Sequence, residues 1–257
     1  MSTVVDPAKA IRHGLILGGR GIRKIFKNPE QLLDVTIAPL SVLVVFVYLF
    51  GGAIAGDTDT YLHTLVPGIM VMTTFQACMG TGMTLNNDVT KGVFDRFRSL
   101  PIARSAPLVG AVLADFVRYL VCLGVLVAVA TLMGYRVQTD PALLVVAVAL
   151  MVAFGMCFCW ISVFVGMLVR QPVALQGLMA TLILPVAFGS DIFVPAETMP
   201  GWLRAWAEIN PLSLMANTLR GLLNGGPVGG PLLGALGWMV GVVAVFFPLA
   251  MLAYRRR

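Results

Sequence analysis

Apolar residues run along this chain in six blocks, each close to the roughly 20 residues that a helix needs to cross the hydrocarbon layer. They cover residues 32–54, 62–85, 107–133, 142–169, 173–194 and 232–253. Ahead of the first block, residues 8–27 follow a different pattern. Ile11, Leu15, Ile22, Ile25 and Phe26 share one side of a helix, while Lys9, Arg12, Arg20, Arg23 and Lys27 gather opposite. That division predicts an amphipathic helix lying in the headgroup layer, apolar side down. Asn28-Pro29 breaks it where the chain turns into the first span. Such a helix serves either as a simple anchor that orients the span or as an elbow joining the span to a cytoplasmic partner.

The connections are as informative as the spans. Between the second and third blocks, Val93, Phe94, Phe97 and Leu100 fall at i, i+1, i+4 and i+7 and so share one helical face. Lys91, Arg96 and Arg98 lie mostly off that face, and Pro101 ends the helix. An apolar stripe on a short basic loop needs something to pack against, and a partner protein fits that need. The connections at 56–61 and 134–141 are too short to fold by themselves, whereas 195–231 is long. Within it, Trp202, Leu203, Trp206 and Ile209 repeat the same spacing and predict a short helix whose tryptophans suit a membrane interface. Pro200-Gly201 opens this helix and Asn210-Pro211 closes it; a second helix over about 212–223 follows and ends at Asn224-Gly225-Gly226.

Composition fixes the class that these patterns belong to. Of the 257 residues, 58% are hydrophobic and 12% charged, against roughly 25% charged in a soluble domain. Together with a mean hydropathy of +0.90, this predicts an all-α integral membrane protein and leaves few residues for a soluble catalytic domain. The net charge of +6 is distributed in a way that orients the chain and suits anionic lipid, not nucleic acid. With the N-terminus inside, 14 of the 18 Lys and Arg residues fall on the cytoplasmic side. Arg136, Arg204 and Arg220 fall outside, and Arg118 lies within the third span. The positive-inside rule therefore places both termini in the cytoplasm. The expected organisation is a cytoplasmic amphipathic segment (1–30), a transmembrane domain (31–254) and a short basic tail (255–257). The first 30 residues lack the apolar core of a secretory signal, so the first span is expected to be retained.

Catalytic signatures are missing. No G-x-x-x-x-G-K-[ST], H-E-x-x-H or G-x-S-x-G occurs, and the glycine- and proline-rich run at 225–231 lacks the Lys-Ser/Thr of a phosphate loop and reads as a turn. His13 and His63 stand alone on opposite sides of the membrane. Cys157 and Cys159 point to opposite faces of their helix, so no metal site is expected. Nor is a cofactor expected on this chain. The intramembrane charges are Asp115 and Arg118, spaced i,i+3 so that they can meet. They are either part of a polar hinge or substrate route, or a self-neutralised pair with Arg118 snorkelling toward the cytoplasmic surface. On the second span Met72, Phe75, Met79 and Met83 form a stripe with Gln76 beside it; on the fifth, Gln176, Met179 and Ile183 share a side. Both stripes fit helix packing and also an adaptable surface for a bulky amphipathic ligand.

Several of these features together resemble a known family. Six spans with both ends inside, a basic amphipathic N-terminal helix and no phosphate loop are similar to an ABC-2 type transporter permease. The loop Lys91-Gly-Val-Phe-Asp-Arg-Phe-Arg-Ser-Leu-Pro101 resembles the daunorubicin-resistance (drug-export) subgroup of these permeases. So do the outer segment Phe193-Val-Pro-Ala-Glu-Thr-Met-Pro-Gly-Trp-Leu203 leading to Asn210-Pro-Leu-Ser213, and Asp115 with Arg118-Tyr119. Asp191 departs from the small or amide residue expected there. The resemblance implies two permease chains, as a homodimer or heterodimer, around a central path lined by the second and fifth spans. Two separate ABC ATPase subunits, which hold the ATP and Mg2+, would sit beneath. It further implies that the loop after the second span is a coupling helix acting through Val93, Phe94, Arg96, Phe97 and Arg98, with the elbow helix and Arg170-Gln171 as further contacts. The helix of Trp202 and Trp206 would cap the exit. The implied function is export of an amphipathic small molecule or lipid; related permeases export polysaccharides or complex lipids. An ion-coupled carrier using Asp115 and a membrane protein with no transport role are the readings from other classes.

Overall fold

The computed structural model describes residues 29–92, 106–169 and 171–256, and among these the only regular structure is helical. Five helices are long and apolar enough to cross a membrane. The first expected span is a broken rod: α1 (Pro29–Val45) passes through a π-helical turn (Phe46–Phe50) into the short α2 (Gly51–Ala55). Gly51 sits where a Cβ would lie 3.1 Å from the backbone of Thr58, so glycine is what lets the end of this rod touch the start of the next helix. Gly56, at φ 82°, supplies the left-handed residue that reverses the chain.

The next helix, α3 (Thr58–Thr90), occupies the centre. Asp57 caps it, accepting from the Thr60 amide (2.7 Å) and hydroxyl (2.6 Å), and these hydrogen bonds hold its carboxyl below the usual carboxylate range. Its 33 residues give about 50 Å of rod, well beyond the ~30 Å hydrocarbon layer. The sequence-based span at 62–85 is therefore extended at both ends by polar turns, Thr58-Asp59-Thr60 at one and Asn86-Asn87-Asp88 at the other. Around α3 pack α1, α4 (Ala106–Leu132), α5 (Pro141–Leu168), α6 (Pro172–Phe188) and α8 (Pro211–Asn224), while α9 (Gly229–Arg256) closes over α5 and α8.

Lipid tails are as apolar as leucine, so helices in a membrane associate through close packing and interhelical hydrogen bonds more than through the hydrophobic effect. The α3–α5 contact follows that rule. A Cβ on Gly82 would fall 2.0 Å from the Ser162 carbonyl oxygen, and one on Gly166 would fall 2.5 Å from the Gly82 carbonyl oxygen. Where the backbones meet, the Ser162 hydroxyl accepts from the Gly82 amide (3.2 Å) and lies 2.7 Å from the Cys78 carbonyl. One turn further, Asn86 Nδ2 donates to the carbonyls of Gly166 (2.8 Å) and Val169 (2.5 Å), capping the end of α5 from α3. Higher in the bundle, Tyr119 of α4 fills the space over Gly155 of α5, where a Cβ would lie 2.7 Å from its ring.

The fifth expected span, 173–194, is shorter than its apolar run. Helix α6 stops at Phe188 after 17 residues, about 25 Å. Gly189 caps it against the Trp206 ring, and the chain turns inward so that Ser190, Asp191 and Ile192 are buried. The expected short helices follow as α7 (Gly201–Ile209) and α8. Helix α7 is exposed along most of its length, whereas α8 buries Leu212, Met215, Leu219 and Leu223 against α3 and α9. Asn210 joins the pieces: its side chain accepts from the Leu212 amide (2.9 Å) and donates to the Val186 carbonyl (2.8 Å) of α6.

The tight α3–α5 contact yields a first prediction. Gly82→Ala should destabilise the protein by about 1–3 kcal/mol, because the backbone facing it cannot yield as a side chain would. Gly124→Ala, on a face of α4 with nothing within 4 Å, should leave stability unchanged or raise it by up to ~1 kcal/mol. Thermal unfolding of the two variants in the same detergent checks the contrast.

Candidate functional site

Three groups of residues carry the chemistry that this bundle can offer: an apolar stripe on each of α3 and α6, an ion pair buried between α3 and α4, and a polar network at the α6–α8 end. On α3, Met72, Phe75 and Met79 are buried, and Gln76 and Met83 are half-buried. Phe75 meets the edge of Phe158 on α5, with ring centroids 6.0 Å apart. On α6, Met179 is buried, Ile183 half-buried and Gln176 exposed. The two helices touch, but α6 uses one narrow face: Leu175, Met179 and Ala187 are buried while Leu178, Leu182, Leu184 and Phe188 remain exposed.

Asp115 and Arg118 form an ion pair, and Thr81 of α3 donates its hydroxyl to the other carboxylate oxygen. Arg118 is 8% exposed, so it does not snorkel to the surface as one sequence reading expected. Its guanidinium lies against Gly80 of α3, at a distance where a Cβ would make an ordinary 3.5 Å contact. The pair thus bridges two helices, and Arg118 Nε is left without a partner in the bundle interior.

The third group was not legible as a group. Arg220, read from sequence only as an outer cation, reaches Asp191 from α8. Its Nε donates to the Thr64 carbonyl (3.1 Å) and its Nη1 to Asp191 Oδ2 (3.2 Å) and Asn217 Oδ1 (2.8 Å). Its Nη2 donates to the carbonyls of Asp191 (2.9 Å) and Ile192 (3.4 Å). Asn217 Nδ2 donates to Asp191 Oδ2 (2.7 Å), and the Asp191 amide donates to the Ser213 hydroxyl (3.0 Å). Tyr61 completes the fastening by donating to the Phe193 carbonyl (2.9 Å). In the sequence Asp191 falls near the end of the fifth expected span and Arg220 in the outer connection, 29 residues apart, so no local spacing announces the pair. Beside this network, Tyr135 donates to Asn224 (3.0 Å) and its ring lies tilted against His63, with centroids 4.9 Å apart; burial pushes its phenol up to about 12.

At the opposite end of α3 lies the basic loop. Val93, Phe94, Arg96, Phe97, Arg98 and Arg170 fall outside the described residues, as does the helix expected over 8–27. Gln171 is exposed and extended at the start of α6, two residues beyond the Val169 carbonyl that Asn86 holds. Trp202 is exposed on α7, and Trp206 packs its indole over Gly189.

A family model described as ABC-2 type transporter matches residues 13–224, and the chain belongs to that family. It is 39% identical over 233 residues to a daunorubicin resistance ABC transporter permease protein of Streptomyces coeruleorubidus, a match covering 90% of this chain and 82% of the relative. It is 25% identical over 228 residues to a probable doxorubicin resistance ABC transporter permease protein of Mycobacterium tuberculosis, covering 88% of this chain and 82% of that one. A doxorubicin resistance ABC transporter permease protein of the same species is 24% identical over 200 residues, or 75% and 69% of the two chains. With five helices of membrane-crossing length and composition, this is a multi-pass membrane protein of the permease type.

The buried ion pair yields a second prediction. Arg118→Leu strands the Asp115 carboxylate in the interior and should cost about 3–5 kcal/mol, whereas the double change Asp115→Asn/Arg118→Leu should recover most of that loss. Unfolding midpoints of the single and double variants measure it.

Proposed function

We propose that this chain is the membrane subunit of an ATP-driven exporter. A second permease chain pairs with it, and two cytoplasmic ATPase subunits hold the ATP and Mg2+ that power transport. Both termini face the cytoplasm, six segments cross the membrane with α6 as the short fifth, and cargo moves outward from the cytoplasm or inner leaflet. The cargo is an amphipathic small molecule of the drug or antibiotic type, or a lipid. The observation that carries this reading is the 39% identity to a daunorubicin resistance permease over 90% of the chain, joined to the absence of a phosphate loop here.

The structure supports the roles in a definite way. The central helix α3 continues as a single rod to Thr90, where a turn at Lys91-Gly92 begins the basic loop, so a push delivered at that turn reaches the bundle core along one helix. Asn86 ties the same end to Gly166 and Val169, beside Arg170 and Gln171, so the two cytoplasmic contact points are braced together. Val93, Phe94, Arg96, Phe97 and Arg98 form the coupling helix, with Arg170 and Gln171 at its side. Met72, Phe75, Gln76, Met79 and Met83 of α3 line the path with Gln176, Met179 and Ile183 of α6. The exposed face of α6 supplies the surface that a second permease chain covers.

Co-purification with the cognate ATPase tests the proposal. Phe94→Asp/Phe97→Asp should reduce the retained ATPase at least about tenfold, in line with loss of a buried aromatic anchor, and abolish export while the permease itself still folds. Retention equal to wild type contradicts the coupling role.

A further inference from the structure

Pro67 lies inside the central helix α3. Proline has no N–H, so the carbonyl of His63, four residues back, loses its donor within the helix. Membrane bundles tolerate such a residue where a neighbour satisfies the freed group. Here the neighbour is α8: Asn224 Nδ2 donates to the His63 carbonyl (2.7 Å). The next carbonyl, of Thr64, accepts from Arg220 Nε (3.1 Å), so one helix holds two consecutive carbonyls of α3.

The segment after α6 fastens to the same turns. Tyr61 donates to the Phe193 carbonyl (2.9 Å). Gly68 makes room for Ile192, because a Cβ there would fall 2.7 Å from Ile192 Cγ2. Arg220 closes the circuit by donating from Nη2 to the carbonyls of Asp191 (2.9 Å) and Ile192 (3.4 Å). Toward the other end of α3 the partners change: Gly82 and Asn86 tie it to α5, and Thr81 ties it to Asp115 of α4. The helix is thus held in two parts, and Pro67 interrupts its own hydrogen-bond ladder where the first part ends.

We propose that Pro67 is a hinge for the outer turns of α3, and that Asn224 and Arg220 are the positioning residues that hold it closed. With that hold released, residues 58–66 swing away from α8 while the rest of α3 stays with α5 at Gly82. The proposal rests on the permease reading and adds to it the element that opens the outer end during the ATP cycle. A swing of ~20°, the size of an ordinary proline kink, over an arm of ~12 Å moves Asp59 by about 4 Å.

Double electron–electron resonance on the permease–ATPase complex in lipid nanodiscs tests it. Spin labels go at Asp59→Cys and Leu233→Cys in a background lacking the native cysteines; both sites are exposed, and Leu233 lies on α9, which packs on α8. Wild type should give one distance without nucleotide and add a population about 4 Å longer when ATP is trapped. Pro67→Ala returns the amide that the His63 carbonyl lacks, so it should keep the short distance in both states. Asn224→Ala should populate the longer distance without nucleotide. Arg220→Lys, which keeps a cation beside Asp191 but cannot span the same acceptors, should do the same. Adding Pro67→Ala to Asn224→Ala should restore the short distance, a rescue that general loss of packing would not give. A wild type with one distance in both states overturns the hinge, as does Pro67→Ala that opens as wild type does. Asn224→Ala and Arg220→Lys variants that both keep the short distance overturn the positioning role. ATPase retention is read on the same preparations. Retained ATPase with no change in distance leaves the permease reading standing. Wild type that retains no ATPase removes that reading, while the nucleotide-free variants still decide what holds α3.

Discussion

The contact of α3 with α5 at Gly82, Ser162 and Gly166 is the constraint on which the rest of the bundle depends. In an apolar solvent, burying more leucine gives little reason for two helices to stay together, so backbone proximity and polar fastening must supply it. Here both are present within three turns: two glycines without room for a Cβ, a serine hydroxyl between the backbones, and an asparagine that ends the contact by capping α5. Because α3 also touches α1, α4, α6 and α8, whatever holds it to α5 fixes the frame for the other helices.

Polar groups then act as rivets at two further levels. Thr81, Asp115 and Arg118 join α3 to α4 in the interior, and Asp191, Asn217 and Arg220 join the end of α6 to α8 and to the Thr64 carbonyl of α3. The two differ in what they leave over. The inner pair is enclosed, with a stranded guanidinium nitrogen, and suits holding two helices in register. The outer network buries a carboxylate oxygen, Asp191 Oδ1, without a hydrogen-bond partner, and its Arg220 spans three segments of the chain. Helix α6 stands apart from this fastening along most of its length. Its attachment leaves Leu178, Leu182, Leu184 and Phe188 exposed.

Periodicity and length made the long helices legible, since apolar runs such as 107–133 and 142–169 end within a residue or so of α4 and α5. The short helices were equally readable, because Pro200-Gly201 and Asn210-Pro211 are boundary signals with a local cause. Hydropathy alone misjudged α6. Residues 189–194 are apolar enough to continue a span, but Gly189 and the pull of Asp191 toward Arg220 turn the chain inward. That pull is a long-range ion pair between residues 29 apart, and no window along the sequence contains it. For the same reason α8 read as a second short external helix, although its Leu212, Met215 and Leu219 face the core. The stripe at Met72, Phe75 and Met79 was legible as a stripe; its burial against α5 depends on the tertiary contact at Gly82, which sequence does not announce.

On this account α3 and α5 move as one body when the ATPase subunits act on the cytoplasmic loop, and motion is taken up elsewhere. Double electron–electron resonance between spin labels at Lys91→Cys and Leu168→Cys measures this most directly. Both sites are exposed at the ends of the two helices, and the labels would be placed in a background lacking the native cysteines, in the complex with its ATPase. The account predicts the same narrow intrachain distance distribution in the nucleotide-free and ATP-trapped states. A shift or a second population on ATP binding would contradict it.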